Sequence, residues 1–145
     1  MADRFAIAIA ALWWGSLTGL GLVVVPMLFA HLPTPQLAGG MAARLFTAQT
    51  GLGAVCGVLL LMILAPKQTK TPSLAARAAV RFIVAGLLLA LLAEFAAAPR
   101  ILAARAEVGG ASLLRLWHGI GSALLAGQWL CAFGTLWQLG RPRFS

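Results

Sequence analysis

The sequence predicts an all-α integral membrane protein: a four-transmembrane-helix antiparallel bundle with both termini cytoplasmic. Three observations carry this: the composition, four long apolar runs, and the placement of the basic residues. Of 145 residues, 61% are hydrophobic and 10% charged, and the mean hydropathy is +0.95. A soluble domain carries roughly 25% charged residues, and so short a chain cannot bury so much apolar surface. A soluble globular domain, a disordered chain and a disulfide scaffold are therefore excluded.

A bilayer core about 30 Å thick needs roughly 20 apolar residues as helix. The first run spans about Phe5 to Phe29, residues 5–29. It is too long for the apolar stretch of a signal peptide and reads as a retained span, with Pro26 bending its last turns. Pro33, Thr34 and Pro35 end it. Thr34 is placed to cap the second helix, with Pro35 at its first position. The second run covers residues 37–64 and closes at a polar, basic link from Pro66 to Ser73. The third covers 82–102, with Pro99 as a break near its end, and the fourth covers 113–139 after Gly109, Gly110 and Ser112. Links this short make sequential helices antiparallel. The whole of 1–145 is thus one four-helix domain.

The net charge of +8 comes from eleven Lys and Arg against Asp3, Glu94 and Glu107. Arg4, Lys67, Lys70, Arg77, Arg81, Arg141 and Arg143 fall at one end; Arg44, Arg100, Arg105 and Arg115 fall toward the other. The richer side is expected to be cytoplasmic, in a bacterial-type inner membrane crossed several times. Basic residues that flank apolar runs meet lipid headgroups, and no nucleic-acid partner is expected. Trp13, Trp14, Trp117, Trp129 and Trp137 fit interface belts for the most part. Cys56 and Cys131, both inside apolar runs, read as buried structural thiols.

Small residues recur at four-residue spacing at Gly15 and Gly19, at Gly53 and Gly57, and at Gly119, Ala123 and Gly127. Such ladders let helices approach closely in lipid, either within the chain or against another membrane subunit or a second copy.

Glu94 is the most informative residue. It lies about twelve residues past Arg81, so roughly 18–20 Å into the membrane at about 1.5 Å per residue. A carboxylate there is costly unless paired or protonated. Arg44, Arg100, Arg105, Arg115 and His118 are the candidate partners, with Arg115, His118 and Ser122 on one helix face. The expected arrangement is a buried ion-pair network near the outer leaflet; a binding or proton-handling pocket is the sharper alternative. No catalytic residue set can be assembled, and no metal site is predicted. Haem between His31 and His118 is a further alternative, though His31, flanked by Pro26 and Pro33, is placed at the interface.

Several short motifs resemble those of the transmembrane-protein-205-like family, whose bacterial members form a domain of unknown function. They are Trp14-Gly15, Pro26-Met-Leu-Phe29, Arg44-Leu-Phe46, Glu94 with Pro99-Arg100, and Leu116-Trp-His118 with Ser122. The resemblance implies a four-helix membrane protein with no established activity, and it carries Arg44, Glu94, Arg100 and His118 as its polar positions. Where family members often place Asn or another polar residue late in the fourth helix, this chain has Gly127 and Gln128. A fainter resemblance links Trp14-Gly15 through His31 to HemJ-like and copper-resistance-D-like membrane proteins. Their early first-helix histidine is absent here, since Phe5 to Leu12 are all apolar. The leading functional expectation is a non-enzymatic bundle serving as an accessory or assembly subunit of a larger membrane complex. The alternatives are a haem- or copper-binding redox protein and a small proton-coupled carrier using Glu94.

Overall fold

A computed structural model describes residues 2–68, 73–106 and 110–141, with side chains from Arg4 to Ala65 in the first stretch. The side chains of Asp3 and Lys67, and residues Lys70, Glu107, Gly109 and Arg143, lie outside this set. The described chain is helical: α1 (Ala2–Gly19), a π-turn (Leu20–Val24), α2 (Val25–His31), α3 (Pro35–Gln68), α4 (Leu74–Leu92), a second π-turn (Ala93–Ala97), α5 (Ala98–Ala106) and α6 (Ala111–Gly140). Four segments are long and apolar enough to cross a membrane: Arg4–His31, Pro35–Ala65, Leu74–Ala106 and Ala111–Gly140.

The helix ends follow local chemistry. Leu37 N donates to Thr34 Oγ1 at 3.3 Å, the cap expected ahead of Pro35. The third span starts eight residues before the expected Phe82, at Leu74. Ser73 Oγ accepts from Ala76 N at 3.2 Å, and the alanine-rich segment that follows favours helix. Arg77 and Arg81 therefore sit on the helix rather than in a link. At the other boundary, α3 runs through Pro66 to Gln68.

Neither internal proline breaks its span. Pro26 and Pro99 each lie two residues beyond a π-turn. A proline ring collides with the carbonyl four residues back. Here the preceding turn is widened: Val25 N donates to Leu20 O and Ala98 N to Ala93 O, each five residues back. The expected break at Pro99 is thus a π-turn inside a continuous helix. In a bilayer a widened turn keeps backbone groups bonded that a true break would expose.

The core fills the half of the bundle near the termini. Trp13, which was expected at an interface, is 1% exposed at its centre. The reason is space made by glycine on two other spans. A methyl at Gly53 would stand 3.0 Å from Trp13 Nε1, and one at Gly86 would stand 2.8 Å from Trp13 Cη2. Leu60, Leu64 and Ile83 belong to the same buried cluster. Gly57 and Gly127 likewise receive Leu87 and Leu89, at 2.7 and 2.9 Å from an added methyl. A methyl at Gly15, Gly19 or Gly119 would meet nothing within 4 Å, so that part of the ladder pattern is not packed against this chain. Trp14, Trp129, Phe133 and Trp137 form an aromatic row between the first and fourth spans, with successive centroids 5.7–6.0 Å apart. Trp129 Nε1 donates to Thr18 Oγ1, and Thr18 Oγ1 to Trp14 O, each at 2.8 Å.

The distal half is arranged differently. There α2 packs on α3 and α5 on α6, while α2 and α6, like α3 and α5, do not pack closely. The two helical hairpins are joined around Trp13 and part beyond the π-turns.

Glycine substitutions test this account. Gly86→Ala should lower stability by about 1–3 kcal/mol, because a fixed indole must move. Gly15→Ala, in open space, should be neutral or gain up to about 1 kcal/mol from helix propensity. Thermal unfolding in detergent checks both; equal effects would remove the Trp13 slot as the organising contact.

Candidate functional site

Where the hairpins part, a cavity of about 750 Å³ opens between all four spans. Its size falls within the range of small-molecule sites, roughly 300–1,000 Å³. The first span contributes Gly21, Val25 and Phe29; the second contributes the face carrying Gly39, Arg44, Thr47 and Thr50. The third contributes Glu94, Pro99, Leu102 and Arg105, and the fourth His118, Ser122, Leu125 and Gln128. The walls are mostly alkyl and aromatic, with polar groups at two levels.

The deeper level is hydrogen-bonded. Thr47 Oγ1 donates to Glu94 Oε1 at 2.8 Å, a bond that joins the second span to the third. Gln49 is buried beside it, and its Nε2 donates to Ser16 Oγ at 2.9 Å. Ser16 Oγ in turn donates to Trp13 O at 2.9 Å. Gln128, also buried, completes this floor from the fourth span. The floor is therefore tied directly to the Trp13 core.

The upper level is cationic. Arg105 lies across the second span: a methyl at Gly39 would fall 2.5 Å from its Nη2. Arg44 and His118 line the same cavity.

This corrects the expected ion-pair network. Glu94 is met by a hydroxyl, and no ion pair forms among the described residues. The cause is directional. Side chains on a helix lean toward its N-terminus, so Arg44 on the descending second span leans toward the mouth, away from Glu94. The structure does bring Arg44, Glu94, Arg105 and His118 to one cavity. It does not bring Arg100 or Arg115 there. The Arg100 guanidinium sits 4.6 Å above the Trp117 ring, and Arg115 is exposed on the fourth span outside the lining set.

The two histidines do not share a site. His31 Nδ1 is 3.0 Å from Met27 O, and the ring lines a separate shallow pocket with Val24, Met27, Leu28 and Leu32. Among the described residues, no three His, Cys, Asp or Glu side chains group to hold a metal ion. Cys56 and Cys131 are free thiols, Cys56 buried and Cys131 half-buried.

Sequence reasoning missed Thr47, Gln49 and Thr50. A signal was present: Arg44, Thr47 and Thr50 recur every three residues on one helical face in an otherwise apolar run.

The chain belongs to a family described as a domain of unknown function, DUF4149, whose model matches residues 8–109. That stretch holds the first three spans, with Arg44, Thr47, Glu94 and Arg105. No curated protein and no solved structure matches the chain.

The bond between spans is open to a double-mutant cycle. Thr47→Val should cost about 1–2 kcal/mol, as a hydroxyl-to-carboxylate bond across helices is lost. In a Glu94→Gln background the same change should cost measurably less. Additive losses in thermal unfolding would mean that the two side chains act independently.

Proposed function

We propose that this small helical membrane protein is a non-catalytic binding bundle, which holds an amphipathic molecule drawn from the bilayer in the cleft between its hairpins. The single observation that supports this most is the cavity of about 750 Å³, with its apolar walls, hydrogen-bonding floor and cationic mouth. Ligand sites combine apolar lining with a few placed polar groups. The cleft also lies between spans that do not pack closely at their distal ends, which favours sideways entry from lipid. Glu94 is the one carboxylate among the described side chains, and a lone carboxylate suits binding better than paired acid–base chemistry.

On this reading the protein serves as an accessory subunit, presenting or storing its ligand for a larger membrane assembly. The open small residues Gly15 and Gly19 on the first span are the surface we assign to a neighbouring helix. We place the basic end, with Arg4, Arg77, Arg81 and Arg141, at the cytoplasmic face of a bacterial-type inner membrane. On the motifs quoted above, we group the chain with transmembrane-protein-205-like proteins.

Filling the cleft is the test. Ser122 and Ala43 line it yet are exposed, so Ser122→Trp and Ala43→Phe should fold. A ligand at a hundredfold its Kd stabilises a protein by about 2.7 kcal/mol. Lipid extract returned to delipidated protein should raise the thermal midpoint of the parent and leave both filled variants unmoved. Equal shifts in all three would sink the reading.

A second reading, a proton-coupled carrier, is favoured by one observation: Glu94 stands on the cavity floor, deep within its span. It requires that Glu94→Gln abolish substrate-driven proton uptake in proteoliposomes without lowering the thermal midpoint. A stability loss with no change in flux would leave Glu94 a structural group.

A further inference from the structure

The mouth of the cleft holds two guanidinium groups, Arg44 and Arg105, with no carboxylate paired to them among the described residues. Among the described residues, neither Arg44 nor Arg105 forms an ion pair, and the nearby Glu94 is engaged by Thr47. The two arginines come from different hairpins and line one cavity. Arg44 stands five residues along the second span from Gly39, about 7.5 Å along the axis. The second span starts at the distal end, so its side chains lean toward the mouth. The third span runs the other way, so Arg105 leans back down into the cleft, and its guanidinium lies against Gly39. On these directions Arg44 leans up the cavity and Arg105 down into it. His118 faces the same space from the fourth span.

Two like charges lining one largely apolar cavity favour an anion between them. A planar guanidinium presents paired donors matched to phosphate oxygens. We propose that Arg44 and Arg105 form the headgroup clamp for a net-anionic phospholipid, with its phosphate at the mouth and its acyl chains leaving between α2 and α6. The inference rests on the binding reading above and names its ligand class. Three features favour a lipid over a soluble anion. The walls below the clamp are apolar, with Val25, Phe29 and Leu125 on the two sides of the α2–α6 gap. Those two helices do not pack closely. The floor beneath holds no cation among its hydrogen-bonded groups, Thr47, Glu94, Gln49 and Ser16, so the cationic groups of the lining stand above it.

The experiment uses the full chain in detergent, with native mass spectrometry counting retained lipid. The probes are phosphatidylglycerol, phosphatidylcholine and inorganic phosphate. One phosphatidylglycerol per chain should be retained at least tenfold more strongly than phosphatidylcholine. Arg44→Gln with Arg105→Gln should remove that preference, Arg44→Lys with Arg105→Lys should keep part of it, and Arg4→Gln should leave it intact. The comparison of lipids on the parent protein needs no variant, so misfolding of the double variant does not shield the proposal. Equal retention of the two lipids would overturn the clamp. So would displacement of phosphatidylglycerol by inorganic phosphate at equal concentration, which would make the site one for a free anion. If the parent retains the two lipids equally and Ser122→Trp abolishes both, the cleft still binds amphipaths and only the headgroup assignment falls. If Ser122→Trp changes no retention, the binding reading falls with it.

Discussion

Proline has no amide hydrogen, and a bilayer has no water to mend the loss. Pro26 and Pro99 bring that constraint into the first and third spans at matching places, each two residues beyond a widened turn. The widening moves the obstructed carbonyl aside and keeps the neighbouring backbone groups bonded. A π-turn beside a proline is a place where helices bend. The first and third spans belong to different hairpins, and the cavity lies where those hairpins part, with residues on and beyond both turns in its lining.

An opening in a small bundle needs an anchor, and Trp13 supplies it. The ring lies in a slot that Gly53 and Gly86 leave vacant, on two spans of opposite hairpins. Its carbonyl accepts from Ser16, which accepts from Gln49 on the cavity floor. The tight half and the open half are thus mechanically joined. Glycine here is a recess for an aromatic ring, which is a different use from the close backbone crossing that small-residue ladders usually signify.

The electrostatics follow from chain direction. Antiparallel neighbours lean their side chains in opposite senses. A guanidinium on a descending helix and a carboxylate placed deep on an ascending one therefore miss each other, however near their helices run. Glu94 takes the closest donor at its own level, the Thr47 hydroxyl. Arg44 and Arg105, from different hairpins, line the same cavity, and neither forms an ion pair among the described residues. An anionic ligand would supply the partner that no described carboxylate gives them.

Composition and apolar run length were enough to determine four membrane-spanning helices, the antiparallel order and the cap at Thr34, because these depend on local or summed properties. Glu94 was legible as unusual for the same reason: a charge in an apolar run stands out whatever surrounds it. Which group satisfies it was not legible. Thr47 lies forty-seven residues away on another helix, and only the relative height and rotation of two spans decides that its hydroxyl, and not the Arg44 guanidinium, arrives. The same holds for Trp13, whose neighbours Gly53 and Gly86 carry no mark in the sequence that assigns them to one ring. Tertiary structure decided these pairings because residues on separate helices meet through helix placement, and placement depends on packing that no single segment contains.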